Sequence, residues 1–146
     1  MKEFTDLDFA KSYHGHLGPF LVIGIKMGNR AIRELKPESC FQLQATVHCP
    51  ENPPPSCVID GIQLSSGCTM GKGNIAHSPT SGEVKAVFTN KNTGQSVEIE
   101  LKDEFLHKAT EVLKSAGEEE ASMLCWNSAD DDMFIVQHLP NTCRTQ

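Results

Sequence analysis

The chain has 146 residues, of which 13 are Lys or Arg and 19 are Asp or Glu, so its formal net charge is −6. This length suits one domain that can bury a core without help from disulfides or metal ions. A hydrophobic share of 38% and a charged share of 22% exclude wholesale disorder, and the acidic balance excludes a general attraction to nucleic acid or anionic lipid.

The first predicted elements are two helices. A signal similar to a capping box predicts a short helix over residues 5–13. Apolar residues at helical spacing predict a longer helix, which begins near Pro19 and ends before Pro37. Within this helix, Gly24 and Gly28 leave space for another backbone to pack closely, such as that of a dimer partner.

A strand, a loop, a helix and a turn follow. Residues 41–49 alternate apolar and polar side chains, which predicts a half-buried strand. Three consecutive prolines in the loop 50–55 exclude a helix there. A short helix is predicted over residues 56–67, and a glycine-rich turn is predicted over residues 67–74.

The remaining elements predict the fold class. Strands over residues 83–90 and 95–101 flank a turn that is typical of a β-hairpin. Further predictions are a helix over 103–116 that ends at Gly117, a second helix over 118–126 and a last strand over 133–136. Together these elements predict an α+β fold, with one compact domain over residues 1–138 and a mixed or antiparallel sheet packed with helices. A loose tail is predicted over residues 139–146.

Six acidic residues account for the whole net charge. They are Glu118, Glu119, Glu120, Asp130, Asp131 and Asp132. Without them the chain has 13 acids and 13 bases. Such a stretch is usually a solvated face, and the alternatives are a cation site or a docking surface for a partner.

The six cysteines and six histidines raise the questions of whether the protein forms disulfides and whether it carries a known metal or redox motif. The cysteines are residues 40, 49, 57, 68, 125 and 143, and the histidines are residues 14, 16, 48, 77, 107 and 138. No C-x-x-C pair occurs, which excludes a zinc ribbon and a thioredoxin-type redox pair. With no signal-peptide-like segment and no long apolar run, we expect a cytoplasmic protein with reduced thiols and no membrane or nucleic-acid partner.

The segment His14-Gly15-His16 is the first candidate for chemistry. Neutral imidazole is a common ligand for zinc, nickel and iron. Two histidines two residues apart can face one site if the backbone turns at Gly15. The alternative is a pair of exposed or hydrogen-bonded histidines with no ligand role.

The second candidate is Cys57, at the predicted start of a helix. The free N–H groups and the dipole at a helix N-terminus stabilise a thiolate, which favours a nucleophile or a metal ligand. Asp60 lies one turn further on, where it could accept a proton or orient a ligand. The alternative is a buried cysteine with a packing role only.

The third candidate is the glycine-rich turn. Its spacing is not that of a P-loop, but several glycines can bring N–H groups together into an anion-binding nest. Lys72 could neutralise a phosphate or a carboxylate. The residues assigned to this cofactor-binding role are Gly67, Thr69, Gly71, Lys72 and Gly73. The alternative is a tight turn with a surface lysine.

The order of these motifs resembles the formylmethanofuran dehydrogenase E-subunit (FmdE) family. The residues that carry the resemblance are YHGHLGPFLVIGIKMG, then CVIDGIQLSSGCTMGKGNI, then the hairpin turn at residues 91–94. The resemblance covers roughly residues 9–136. This chain has Leu-Gly-Pro after His16 where other members have Cys-Pro-Gly, so it lacks one cysteine next to the histidines.

The resemblance implies an α+β core that forms an intertwined homodimer, without the C-terminal zinc-finger domain of some members. It also implies an association with a molybdenum or tungsten oxidoreductase. Our leading hypothesis is a metal-binding protein, with zinc held by His16 and Cys57 and next by His14 and Cys68. Catalytic roles on a small or cofactor-like substrate are assigned to Cys57, Asp60 and Lys72, although whether the protein is an enzyme stays open.

Two further hypotheses remain. In the first, the protein is a non-catalytic accessory subunit that delivers metal or a pterin-type cofactor to the oxidoreductase. In the second, Cys57 carries out thiol chemistry without metal, with Cys68 as the resolving thiol.

Overall fold

Burial alternates along the strands and shows which face of the sheet meets the core. In the two strands of the predicted hairpin, every second residue is buried. The computed structural model describes residues 1–141. Its helices are α1 (Leu7–His14), α2 (Pro19–Leu35), α3 (Val58–Ser66), α4 (Asp103–Ala116), α5 (Glu118–Asn127) and α6 (Asp130–Met133). Its strands are β1 (Leu43–Cys49), β2 (Ile75–Pro79), β3 (Lys85–Asn90), β4 (Ser96–Leu101) and β5 (Phe134–Leu139).

The five strands form one mixed sheet in the order β2-β1-β3-β4-β5. Strands β1 and β2 pair in parallel, and every other neighbouring pair is antiparallel. This sheet, with helices packed on it, confirms the predicted α+β fold. The sequence did not predict β2, because this edge strand is mostly exposed and carries no alternating apolar pattern.

Helix α2 is the centre of the core. Most of its residues are buried, and it packs against α3, α5 and the strands β3 and β4. The prediction from the two prolines is confirmed, since the helix begins at Pro19 and ends at Leu35. Lys36 ends it in the left-handed conformation, with its N–H donating to the carbonyl of Ile32.

The glycines of α2 allow α3 to pack at very short range. A Cβ added at Gly24 would overlap the carbonyl of Val58, and a Cβ added at Gly28 would overlap the hydroxyl of Ser65. The earlier glycine, Gly24, meets the start of α3, and the later one, Gly28, meets its end. The two helices therefore run in the same general direction. Gly61 of α3 is equally crowded by the backbone of α2. The close-packing prediction is therefore met inside the chain by α3.

The other predicted elements agree with the structure to within a few residues. Helix α3 follows a short 3-10 turn, Pro55–Cys57. Helix α4 and Gly117 lie where they were predicted, and α5 is one residue longer. Strand β5 extends to Leu139. The predicted loose tail falls outside the described residues from residue 142 onward, and Cys143 lies there too.

The acidic stretch divides into paired and exposed residues. Asp130 accepts hydrogen bonds from Arg30 at 3.1 Å and from Arg33 at 3.0 Å, and Arg33 also donates to Glu3 at 2.9 Å. This cluster ties the N-terminal segment and α6 to α2. Asp131 and Asp132 remain exposed. Over residues 1–141, no helix combines the length and the apolar character needed to cross a membrane.

Candidate functional site

A cavity of about 250 Å³ lies where α1 ends and α2 and α3 begin. Its lining is mostly apolar, with a few histidine, cysteine and glutamate side chains. The lining residues are His14, His16, Gly18, Pro19, Phe20, Leu21, Pro53, Pro54, Cys57, Leu113 and Glu118. An apolar cavity with a few converging polar groups is the usual form of a small-molecule site.

His14 is the last residue of α1, and the positive φ of 106° at Gly15 turns the chain after it. Its Nδ1 lies 2.6 Å from Oδ2 of Asp60, and its side chain is only 9% exposed. Its Nε2 is buried and has no hydrogen-bond partner among residues 1–141. If Nδ1 donates its proton to Asp60, Nε2 keeps a free lone pair that can bind a metal or accept a proton.

His16 lies beside His14, with their ring centroids 4.8 Å apart. Its Nδ1 is 3.0 Å from Oε2 of Glu118, and both side chains are about half exposed. Glu118 is a site residue that sequence reasoning missed, because it belongs to the acidic stretch and is separated from His16 by 102 positions. No local sequence pattern could have found this contact.

Cys57 ends the 3-10 turn and immediately precedes α3. Burial raises the pKa of its thiol, and the nearby carboxylate of Asp60 raises it further. This direction is opposite to that expected for a thiolate stabilised by a helix N-terminus. Without a cation at the site, the protonated thiol is therefore favoured at neutral pH.

The glycine-rich turn lies at the other end of α3. Helix α3 has nine residues, which places its ends roughly 13 Å apart at about 1.5 Å per residue. Cys68 is fully buried there, and Nζ of Lys72 lies 5.9 Å from the ring centroid of Phe41. The structure thus brings together His14, His16, Cys57 and Asp60, and places Cys68 and Lys72 away from them.

Most N–H groups of this turn already have partners within the chain. The N–H of Thr69 donates to Asn74, that of Met70 to Gln63, and that of Lys72 to the hydroxyl of Thr69. The N–H of Gly73 is shared between the carbonyls of Thr69 and Met70. The proposed cofactor role of Gly67, Thr69, Gly71, Lys72 and Gly73 stays a prediction, and these internal bonds leave few donors for an anion.

The donor types at the cavity suit a metal ion, but the donors are not arranged closely enough to hold one. Imidazole nitrogen and thiolate sulfur are the usual zinc ligands, and the buried, unpartnered Nε2 of His14 is the kind of atom that a metal would satisfy. Within residues 1–141, however, no three His, Cys, Asp or Glu side chains are grouped closely enough to hold an ion. Metal binding here would need these side chains to move closer together, or a ligand from outside the described residues.

Comparisons with known proteins agree on a family and a fold. The family model described as "FmdE, Molybdenum formylmethanofuran dehydrogenase operon" matches residues 13–134. A crystal structure of a tungsten formylmethanofuran dehydrogenase E-subunit (FmdE)-like protein from Syntrophus aciditrophicus has the same fold, with a TM-score of 0.66 and 22% identity. That match covers 91% of this chain and 69% of the other.

A sequence relative gives a shorter match. It is a probable S-adenosyl-L-methionine-binding protein from Archaeoglobus fulgidus, 31% identical over 74 residues. The match covers 47% of this chain and 19% of that relative, so the chain spans only a small part of the relative's length.

Proposed function

The chain belongs to the FmdE family, and on that premise we propose that it binds a metal ion at the cavity between α1, α2 and α3. The observation that carries the proposal is the buried Nε2 of His14, which has no partner among the described residues and belongs to a residue that lines the same cavity as Cys57. His14, His16 and Cys57 would hold the ion. Zinc suits this set of nitrogen and sulfur donors.

Each residue around this centre has a distinct role. Zinc, when bound, supplies a Lewis acid that polarises an oxygen of water or substrate. Asp60 is a positioning residue, because its carboxylate holds Nδ1 of His14 and so fixes the orientation of the ring. Glu118 holds the ring of His16 in the same way, and its side chain is about half exposed.

The test is zinc content after exhaustive dialysis. We expect about one zinc per chain in the wild type and less than about a tenth of that in Cys57→Ala and His14→Ala, because each variant loses a principal ligand. Cys40→Ala is the matched control, since Cys40 lies near Gly67 at the opposite end of α3. A wild-type protein without zinc, or one whose zinc content equals that of Cys57→Ala, contradicts the proposal.

A second candidate function is that of an accessory subunit for a molybdenum or tungsten oxidoreductase. The family description, which refers to a molybdenum enzyme operon, favours it. The exposed part of the acidic stretch, Glu119, Glu120, Asp131 and Asp132, would form the docking surface. Co-purification with such an enzyme that is lost on charge reversal of these four residues supports this role. Normal metal loading of the enzyme in a deletion strain counts against it.

The oligomeric state and the cellular compartment are two further properties that we propose for the protein. Following the family resemblance, we propose a homodimer, which sedimentation equilibrium would show as twice the chain mass. Strictly monomeric sedimentation at micromolar concentration contradicts it. The five cysteines within residues 1–141 are all free thiols, which suits the reducing cytoplasm.

A further inference from the structure

Two cysteines meet at the C-terminal end of α3. Gly67 ends this helix in the left-handed conformation, with a φ of 76°, and Cys68 follows it. A Cβ added at Gly67 would lie 2.5 Å from the Cβ and 3.4 Å from the Sγ of Cys40. The side chain of Cys40 therefore packs directly against the residue that precedes Cys68.

The side chain of Asn74 holds the two cysteine segments together. Its Nδ2 donates to the carbonyl of Cys40 at 3.2 Å, and its Oδ1 accepts from the N–H of Thr69 at 2.9 Å. Asn74 thus bonds to Cys40 itself and to the residue after Cys68. Disulfides join Cα atoms that are about 4.4–6.8 Å apart. Because contacts on both sides of Cys68 fix Cys40 beside it, a change of side-chain rotamer can bring the two sulfur atoms together.

The electrostatic surroundings of Cys68 agree with this contact. Burial raises the pKa of its thiol, and a negative charge on Cys40 raises it further. The ammonium groups of Lys72 and Lys91 act in the opposite direction. Because the effect of a charge falls off with distance, two thiols and two lysines are grouped at this end of α3.

The two thiols differ in their access to solvent. Cys68 is fully buried, whereas Cys40 is partly exposed at the start of a short 3-10 turn, Cys40–Gln42. A small oxidant therefore reaches Cys40 first and finds Cys68 behind it. An accessible thiol next to a second, resolving thiol is the usual arrangement of a redox-sensitive pair.

The thiol chemistry considered from the sequence paired Cys68 with Cys57, and the fold separates these two residues. Cys57 precedes α3 and Cys68 follows it. Helix α3 has nine residues, so it holds its two ends roughly 13 Å apart. That separation exceeds the reach of a disulfide. Cys40 is therefore the partner that the fold provides for Cys68.

We propose that Cys40 and Cys68 are a redox-sensitive pair, which forms a reversible disulfide when the protein meets hydrogen peroxide. The Cys40 thiolate attacks one oxygen of the peroxide, which gives a sulfenic acid and releases hydroxide. The Cys68 thiolate then attacks the sulfur of Cys40, forms the S–S bond and displaces a second hydroxide. The two thiol protons neutralise the two hydroxides, so two thiols and one peroxide give one disulfide and two waters. The sulfur atoms lose two electrons, and the peroxide gains them.

The disulfide would tie the segment before β1 to the end of α3. It closes a loop that contains β1, the proline-rich segment and α3, and so it restricts the unfolded chain more than the folded one. It forms at the opposite end of α3 from Cys57 and the cavity. The proposal is therefore independent of the metal site.

The test is site-resolved thiol labelling of the full chain after treatment with hydrogen peroxide. N-ethylmaleimide blocks the free thiols, a reductant then opens the disulfides, and iodoacetamide marks the cysteines that were paired. Mass spectrometry locates the mark at each cysteine. We expect Cys40 and Cys68 to be marked to the same extent, at least about five times more than Cys125, because a disulfide needs a second thiol within reach.

Removal of Cys40 provides the sharpest variant, because this side chain is partly exposed. In Cys40→Ala the mark on Cys68 should fall at least about tenfold, since its partner thiol is gone. Cys49→Ala is the matched control, because it removes another cysteine and should leave the mark on Cys68 unchanged. If Cys40→Ala does not fold, Cys40→Ser keeps the size and polarity of the side chain and should cause the same loss.

Thermal melting gives a second readout of the same disulfide. The peroxide-treated wild type should melt at least about 5 °C above the reduced protein, because the cross-link restricts the unfolded chain. Cys40→Ala should show no such rise. A mark on Cys68 that is no stronger than that on Cys125 in the wild type would overturn the proposal. An undiminished mark on Cys68 in folded Cys40→Ala or Cys40→Ser would overturn it as well.

Discussion

The two ends of the α2–α3 pair differ in how completely their polar groups are bonded. At the end where both helices begin, the N–H groups of Phe20 and Leu21 and the Nε2 of His14 lack partners within residues 1–141. At the other end, Gly67 adopts the left-handed φ of 76° and its N–H donates to the carbonyl of Gln63.

The bonded end also contains a buried amide, Asn74, whose oxygen and nitrogen both have partners. Oδ1 of Asn74 accepts from the N–H of Thr69, and its Nδ2 donates to the carbonyls of Cys40 and Leu43. Both ends contain a cysteine and glycines, so composition does not tell them apart. The difference supports the ligand site proposed at the first end, because buried polar groups in folded proteins usually have a partner.

Close packing of α2 against α3 holds the two ends in place, and Gly24→Ala should disrupt this packing most. The added Cβ would overlap the carbonyl of Val58, which is backbone and cannot move freely. We expect a loss of about 2–4 kcal/mol in the free energy of unfolding, measured by urea denaturation. Gly71→Ala, where a Cβ meets nothing within 4 Å, is the control. An unchanged urea midpoint for Gly24→Ala would contradict this packing.

At the bonded end, Asn74→Ala should affect stability and leave zinc binding unchanged. The substitution removes three hydrogen bonds, one of which is the only bond made by the N–H of Thr69 among the described residues. We expect a loss of about 2–3 kcal/mol in the free energy of unfolding. Asn92→Ala, an exposed position, is the control. Lower zinc content in folded Asn74→Ala would show that the two ends are not independent.

At the end with the unpartnered groups, Asp60→Asn should have the opposite effects, with a small loss of stability and a large loss of zinc affinity. Asp60 is partly exposed at 39%, so its contact with His14 contributes less than about 1 kcal/mol to stability. Zinc affinity should fall about 10- to 100-fold, because Nδ1 of His14 loses its anionic partner. Competition with a chromogenic chelator measures this change. Unaltered affinity would remove Asp60 from the positioning role.

The smallest expected effect concerns the thiol of Cys57. Burial and the nearby Asp60 raise its pKa, so in zinc-free protein the neutral thiol should persist to a higher pH than in the unfolded chain. Mass-spectrometric measurement of alkylation at Cys57 against pH, with the urea-unfolded protein as reference, gives the two midpoints. A lower midpoint in the folded protein would support metal-free thiol chemistry instead.

Local chemistry explains which elements were predictable. The prolines around α2, the apolar face of α4 and the turn between β3 and β4 are signals within a few residues, and all three elements lie where they were predicted. Strand β2 was missed because its pairing with β1, and not its own pattern, makes it a strand. Glu118 was missed because its role depends on a neighbour in space.

For the candidate site, the sequence by itself determined the residue types, the turn at Gly15 and the helix starts next to Gly18 and Cys57. Only the tertiary structure decided which of them meet. His14 reaches Asp60 across 46 positions because α3 lies parallel to α2, and that direction follows from glycine-to-backbone contacts that no local pattern encodes. Cys68 and Lys72 follow the C-terminal end of α3, so the length of this helix keeps them away from His14 and Cys57.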